Sequence, residues 1–458
     1  MAVATTADER QQLRRAVVAS TVGTSIEWYD FFLYSTATGL LFAKLYFPKT
    51  DPVVATLNVF LIYAVGFLAR PVGAAIFGHY GDRIGRKATL IATLLLMGVA
   101  TFLIGFVPTY SSIGIWGAVL LVVLRFVQGV GVGGEWGGSV LLSMEWGHRG
   151  KRGLIASWPQ FGVPVGLFLA NGALFIMSNI AGTEGFASWG WRVPFYFSIV
   201  LVAVGLYVRL RVFETPLFQR LLEAKRIEPA PVVEVIRRNW GEILQSAFLR
   251  LSEQAPFYVF TAYVFTYGAT PGPLKQTRNF ILAAVLCASV VSFFTIPLFG
   301  YISDLIGRKR MYLIGVVTMG IWGFVYFGLL DTKVAALIFI GILLSLIPHD
   351  MQYGPQAALI AETYTGRLRY SGASLGYQLA SVIAGGPAPL IATTLFAGPK
   401  FFGIGAYKTS LAIAIYIAVC AVISLIATAT VRDRTRMDIS REYDEQPVLT
   451  PAGTTARA

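Results

Sequence analysis

Cysteine, histidine and charge are all scarce in this chain of 458 residues. It holds two cysteines and three histidines, and Asp, Glu, Lys and Arg together make up only 13% of it. Cys287 and Cys420 both lie inside apolar runs, so neither a disulfide framework nor a thiolate metal site is indicated. His79, His148 and His349 are scattered and make no metal constellation by spacing. So little charge beside 55% hydrophobic residues leaves more apolar surface than a water-soluble fold hides. The apolar runs are continuous rather than alternating, which disfavours a β-barrel.

What the chain has instead is a series of apolar stretches long enough to cross a hydrocarbon core of about 30 Å, for which about 20 residues suffice. Six are expected near Val17 to Leu45, Val54 to Phe77, Ala88 to Val107, Ile113 to Ser143, Leu154 to Ile180 and Trp191 to Val208. Six more follow near Ile243 to Gly268, Phe280 to Ile302, Met311 to Leu330, Val334 to Ile360, Ser371 to Phe396 and Gly405 to Thr430. The expected fold is therefore all-α and integral to the membrane, with twelve transmembrane helices. The first run is too long for a signal h-region and lacks a small-residue cleavage pattern, so it is expected to stay as the first helix.

A net charge of +13 would suit nucleic acid, but its placement points to topology. Basic residues gather in every second connection, at Arg10 to Arg15, Arg83 to Lys87, Arg149 to Arg152, Arg209 to Arg238, Arg308 to Arg310, Arg367 with Arg369, and Arg432 to Arg441. The alternate connections are poor in them, so the positive-inside rule makes the rich side and both termini cytoplasmic, in the plasma (bacterial inner) membrane. Nucleic acid is not an expected partner.

An internal repeat divides the chain. Gly78-His-Tyr-Gly-Asp82-Arg83-Ile-Gly85-Arg86-Lys87 recurs as Gly300-Tyr-Ile-Ser-Asp304-Leu305-Ile-Gly307-Arg308-Lys309. Glu145 with Arg152 to Ser157 is echoed by Glu362 with Arg369 to Ser374. Repeats of one orientation imply two bundles facing each other about an axis along the membrane normal, with a binding site between them. Expected divisions are an N-terminal segment 1–15, a bundle 16–208, a linker 209–241, a bundle 242–431 and a tail 432–458. Pro229, Pro231 and the charge of the linker suit a surface connection, and the polar tail with Pro447 and Pro451 suits a mobile end.

Gly78-x-x-x-Asp82-Arg83-x-Gly85-Arg86-Lys87 resembles the signature of the major facilitator superfamily, and Arg125-x-x-Gln128-Gly129 resembles its second conserved motif. Glu27-Trp-Tyr-Asp30-Phe31, Gly133-Gly-Glu135-Trp136-Gly-Gly138 and Ser188-Trp-Gly-Trp-Arg192-Val-Pro194-Phe195 are similar to its metabolite:proton symporter branch. Leu249-Arg250-Leu-Ser-Glu253, His349-Asp350-Met351 and Arg369-Tyr-Ser-Gly372 through Tyr377-Gln378 resemble the shikimate-carrying members of that branch. The resemblance covers Val17 to Val431. It implies alternating access between two pseudo-symmetric six-helix bundles, with a small organic acid imported together with protons. The proton is then the coupling ion and no other cofactor is needed. A shikimate-like monocarboxylate is the expected substrate, and a dicarboxylate, an aromatic acid or a betaine is the alternative. A monomer in the lipid bilayer is expected. A non-transporting solute sensor is disfavoured by the short tail, and an enzyme by the lack of a metal cluster or nucleophile elbow.

Charge inside a bilayer costs about 3 kcal/mol per group on insertion scales, so such residues face the bundle interior and find partners. Glu27 and Asp30 share one face of the first helix, as proton carriers or as structural partners of an arginine. Arg125, Gln128, Glu135 and Ser139 fall on one stripe of the fourth helix and form a polar seam expected to face the cavity, while Gly129 to Gly138 serve close packing. The resemblance gives Arg125 a part in substrate binding or proton coupling. Arg250 and Glu253 repeat the same spacing in the seventh helix. There an anionic substrate would compete for the arginine, and the released carboxylate would take a proton. His349 and Asp350 lie between Pro348 and Pro355, as cavity lining, as a relay or as a fixed pair. Arg70, ahead of Pro71, is open to the same readings, and Tyr377 and Gln378 are placed near the cavity by their motif. Asp82, Arg83, Arg86, Glu145 and Arg152, with Asp304, Arg308, Glu362 and Arg369 of the second repeat, are expected to form gating ion pairs at the cytoplasmic end.

Overall fold

The computed structural model describes residues 7–145, 149–211, 223, 230–268, 273–366, 368–397 and 410–437. Most of the expected linker, most of the tail and the expected start of the twelfth helix at Gly405 lie outside them. Among the described residues the chain is helical and crosses from end to end twelve times. The first half comprises α1 (Ala7–Ala37, continued to Tyr46), α2 (Pro52–Ile84), α3 (Arg86–Ile104), α4 (Trp116–Glu145), α5 (Arg152–Ser188) and α6 (Val193–Leu210). The second comprises α7 (Pro231–Leu249, Leu251–Tyr258 and on to Gly268), α8 (Arg278–Ile306), α9 (Arg308–Asp331), α10 (Ala335–Ala361), α11 (Arg369–Phe396) and α12 (Leu411–Thr430).

Ten of these are long and apolar enough to span a membrane by composition alone. The other two, α1 and α7, carry the Glu27/Asp30 and Arg250/Glu253 pairs, and their polarity is the feature the function has to explain. Lipid-facing positions such as Leu61, Ile76, Phe294 and Ile321 are exposed, as helices bathed in hydrocarbon require.

Local rules set the breaks. Asp51 caps α2 by accepting from the Val53 and Val54 amides at 2.9 and 3.3 Å, with Pro52 at the first helical position. Gly85 and Gly307, the matching glycines of the repeat, adopt φ of 112° and 99° between α2 and α3 and between α8 and α9. Only glycine takes that conformation without strain, which is why the motif carries one at this turn. In α4, a Cβ at Gly129 or Gly133 would lie 2.1 Å from the Gly66 or Arg70 carbonyl of α2, so these glycines set the close α2/α4 crossing.

The halves meet along α5 against α8 and α10, and along α11 against α2 and α4. Single π-helical turns interrupt α1 at Thr38–Phe42, α7 at Val259–Tyr263 and α11 at Ser381–Gly385. The first two fall at matching places in the two halves and touch each other: a Cβ on Gly39 would lie 3.1 Å from the Ala262 carbonyl. Such turns recur at functional sites because they leave backbone groups free of the regular ladder.

Candidate functional site

In the second half, one buried network joins α7, α8, α9, α10 and α11. The Arg250 guanidinium lies 3.1 Å from the Glu253 carboxylate and donates from Nε to Gln356 Oε1 at 3.0 Å, and it also reaches Gln254 and the Tyr377 carbonyl. Gln356 Nε2 donates to Glu253 at 3.1 Å and to the Tyr312 hydroxyl at 3.1 Å. The other Glu253 oxygen meets His349 Nε2 at 3.2 Å, while His349 Nδ1 meets Asp350 at 2.8 Å, and Asp350 accepts from Thr295. Arg250, Glu253, His349 and Asp350 therefore form a continuous chain. An imidazole between two carboxylates can pass a proton from one to the other.

The first half holds two separate groups. Arg209 at the end of α6 turns inward and pairs with Glu27 at 3.0 Å and Glu135 at 3.5 Å, while Glu135 also accepts from Thr24 at 2.8 Å and from Ser139. Nearer the interface between the halves, Arg125 donates to Gln128, whose amide donates to Thr101 at 2.8 Å and to the Asp30 carbonyl at 3.3 Å. Arg125 and Arg70 then flank the Phe31 ring, at 4.4 and 4.6 Å from its centre. Tyr34 and Tyr63 surround the first, and Phe67 and Trp28 the second. Arg70 donates to the Ser381 hydroxyl across the interface over a long 3.4 Å, beside the Tyr258 side chain. Among the described residues Nε and Nη2 of both arginines have no hydrogen-bond partner although both side chains are fully buried. A buried guanidinium with idle donors is costly, and an anion placed between the halves would satisfy it.

Aromatic rings tie these groups together across the interface. Trp136 stacks on Tyr377 with centroids 3.7 Å apart, and the Arg250 guanidinium lies 3.3 Å from the other ring's centre, over Tyr377. Phe257 stacks on His349, and Tyr258 packs edge-on against Phe31, Tyr63 and Phe67. Gln378 reaches the Val132 carbonyl at 3.3 Å.

At the end bearing the repeat loops, each half caps a helix of the other. Asp82 accepts from the Ser371 amide at 3.0 Å and its hydroxyl at 2.8 Å, near the start of α11. Asp304 accepts from the Gly153 and Leu154 amides, both at 2.9 Å, at the start of α5. A carboxylate there satisfies orphan N–H groups and opposes the positive end of the helix dipole. Around these caps, Arg86 lies 3.5 Å from Asp82 and 3.7 Å from Glu145, with Arg369 3.8 Å from Glu145. In the second cluster Arg308 lies 3.2 Å from Asp304 and 3.0 Å from Glu362, which Arg152 meets at 2.7 Å.

A family model described as Sugar (and other) transporter matches residues 15–246. The chain is 39% identical over 435 residues to the inner membrane metabolite transport protein YhjE of Escherichia coli, covering 93% of this chain and 97% of that one. It is 41% identical over 391 residues to the shikimate transporter of the same organism, covering 84% and 89%. The chain belongs to the major facilitator superfamily of transporters. The solved xylose transporter XylE from Escherichia coli shares the fold, with TM-score 0.73 at 17% identity over 92% of this chain and 98% of that one. This facilitator is accordingly a multi-pass membrane transporter of metabolites and not an enzyme.

Within it the sequence-derived site residues separate. The seam of α4 is split: Arg125 and Gln128 face the aromatic interface, whereas Glu135 and Ser139 turn toward Arg209. Glu27 belongs with Arg209, whereas the Asp30 carboxylate has no ion-pair partner among the described residues and the Asp30 carbonyl accepts from Gln128. Arg83 is exposed and among the described residues meets only His79, at 3.1 Å, so it stands apart from the gating cluster that contains Asp82 and Arg86. That explains how the second repeat builds the same cap with Leu305 in the equivalent place. Arg83→Ala is expected to leave uptake within about twofold of the parent, as for other surface substitutions. Arg86→Ala should lower it severalfold, in uptake assays at matched expression.

Sequence reasoning missed Arg209, Gln356, Ser371 and Thr24. Arg209 reads as the first basic residue of the linker, and the other three are polar residues with nothing in their spacing to single them out. It also missed the segment after α12, where Arg152 donates to the Met437 and Thr435 carbonyls at 3.0 and 3.2 Å. There partial burial would raise the Asp433 carboxyl, but hydrogen bonds from the Thr435 hydroxyl and amide and the Lys309 amide, with the Arg308 charge, hold it below the usual range.

Proposed function

We propose that this facilitator imports a small organic acid with protons by alternating access, and that a shikimate-like monocarboxylate is its substrate. One observation carries the reading: two fully buried arginines, Arg70 and Arg125, present idle N–H donors beside the boundary between the halves. That arrangement calls for an anion. The aromatic walls suit a ring, and the hydroxyl and amide groups of Tyr258, Gln254 and Gln378 suit a hydroxylated one. The relative that shares 41% of its residues is named for shikimate, which supports the same class. A quaternary ammonium head fits worse, because the aromatic faces that would hold it already carry guanidinium charge.

The proton belongs to the Arg250–Glu253–His349–Asp350 chain. With the carrier empty, Arg250 engages Glu253; an arriving carboxylate competes for that arginine and frees Glu253 to take a proton, so the two ligands bind with positive coupling. The basic residues of alternate loops support a cytoplasmic position for the Asp82 and Asp304 caps and for both termini. Each chain has its own path and acts as a monomer in the bacterial inner membrane. Glu27, Arg209 and Glu135 fix α1, α4 and α6 as one body.

Labelled shikimate is expected to accumulate in vesicles containing the purified protein under an acid-outside gradient, and to leak away when a protonophore is added. Gradient-driven uptake of another acid alone would move the substrate assignment. Gradient-independent equilibration would remove the proton, and no transport of any acid or betaine by folded protein would overturn the proposal.

A further inference from the structure

Arg250 differs from Arg70 and Arg125 in having each of its nitrogens engaged. Nε donates to Gln356 and Nη1 to the Tyr377 carbonyl, while Nη2 meets both Gln254 Oε1 and, at 3.1 Å, the Glu253 carboxylate. The side chain is fully buried. An anion therefore reaches this guanidinium only by taking the place of a partner already bound to it.

The four partners are not equally held. The Tyr377 carbonyl belongs to the backbone of α11. Gln356 is fixed by its own bonds to Glu253 and to Tyr312, both at 3.1 Å. Glu253 is fixed by Gln356 and by His349, 3.2 Å away. Gln254 instead extends toward the first half of the chain. Arg250, Gln254 and Tyr258 recur every four residues and so lie along one face of α7. Tyr258 packs edge-on against Phe67 of α2, and Arg70 lies beside it, 4.2 Å from the centre of the Phe67 ring. A Cβ on Gly385, in the π-helical turn of α11, would stand 2.9 Å from Gln254 Nε2, from Phe67 Cε1 and from Tyr258 Cε2 alike. The Gln254 amide thus has its oxygen on Arg250 and its nitrogen against the aromatic wall around Arg70.

We infer that Gln254 Oε1 holds the place of the substrate carboxylate on Arg250 in the empty carrier. This placement rests on the import of an organic anion proposed above. Gln254 leaves by turning one neutral side chain, whereas displacing the Tyr377 carbonyl would move backbone. Once a carboxylate takes its position, two anionic groups meet at Nη2, because Glu253 is already there. Like charges that close do not both stay ionised, so Glu253 takes a proton. Exchange of a neutral acceptor for a charged one is then the step that couples the two ligands. The titratable groups around Glu253 besides Arg250 are His349 and Tyr353 of α10, with Asp350 beyond His349, Tyr312 of α9, Tyr377 of α11 and Tyr258 of α7, and none of them has to move.

Equilibrium binding of labelled shikimate to the purified full-length protein tests the placement, because substitutions at this one residue should act in opposite directions. Gln254→Asn is too short to reach Nη2, and Gln254→Met carries no oxygen. Each should bind about tenfold more tightly than the parent, since the anion no longer has to displace a hydrogen bond to a charged group. Gln254→Glu keeps the length and sets a permanent carboxylate on Arg250, so its affinity should fall by at least about tenfold. A purely structural role for Gln254 would loosen binding in all three. If Gln254→Glu does not fold, the gain in the asparagine and methionine variants still decides. Unchanged or looser binding in those two, or parent-like binding by folded Gln254→Glu, would overturn the placement and leave the proposed import standing. Absence of binding in the folded parent would instead strike the proposed import, and the placement would fall with it.

Discussion

Glu253→Gln is expected to abolish accumulation of substrate against its gradient while leaving counterflow exchange intact. Glutamine preserves the shape of the side chain, keeps an acceptor for Arg250, and turns an amide N–H toward His349 Nε2, which accepts it when Nδ1 carries the proton toward Asp350, so the network shown by the 3.1 and 3.2 Å contacts stays filled. It cannot hold a proton that moves with the substrate. Uptake under an acid-outside gradient should therefore stop at equilibrium, however steep the gradient. The anion should also bind more tightly. Arg250 no longer has a carboxylate to leave, and a hydrogen bond to a charged group is worth about 1.5–3 kcal/mol, so a gain of roughly tenfold in affinity is expected. Vesicle uptake, counterflow and equilibrium binding measure the three effects separately. Full gradient-driven accumulation by the glutamine variant would move the proton to another acid, and loss of counterflow would make Glu253 a binding residue instead.

The neighbours of Glu253 make that outcome specific. His349 connects it to Asp350 and thence to Thr295 of α8, so the carboxylate at one end of the chain faces the arginine and the one at the other end faces a different helix. From the sequence alone, His349 beside Asp350 is equally a fixed pair or a relay. It is the 3.2 Å contact to Glu253, nearly a hundred residues away in the chain, that extends the pair into a path.

The repeat motif carried most of the fold in plain sight. A glycine whose turn needs positive φ, an aspartate four residues before an arginine, and basic residues in alternate loops are all local features, and the structure uses each locally. Arg250 with Glu253 was legible for the same reason, since three residues along a helix bring two side chains together. Arg209 was not. Its partners Glu27 and Glu135 lie on two other helices, and room for its guanidinium is left by Gly23, where a Cβ would stand 2.2 Å from Arg209 Nη2. A missing side chain on α1 and a cation at the end of α6 are unrelated signals until the helices are packed. Arg83 fails in the opposite direction: the motif includes it, but helical geometry turns it away from the cluster that Asp82 and Arg86 share.

Asp82→Arg is expected to reduce the rate of transport much more than the affinity for substrate. In the structure the carboxylate receives two hydrogen bonds from Ser371 at the start of α11 and sits beside Arg86. Reversal removes the cap, places a cation against the positive end of a helix, and adds repulsion from Arg86 and the nearby Arg369. Each charged hydrogen bond lost is worth about 1.5–3 kcal/mol, which destabilises closure at this end by a factor of at least about tenfold. None of these atoms touches the arginines that the substrate is proposed to meet, so binding should change little. Initial rates should fall by tenfold or more, and a thiol-reactive probe applied from the Asp82 side should label a cysteine placed at Gln378 faster than in the parent. Asp304→Arg should reproduce the result from the other half, because Asp304 caps α5 as Asp82 caps α11. An unchanged rate, or an affinity loss equal to the rate loss, would refute the assignment of these caps to a gate.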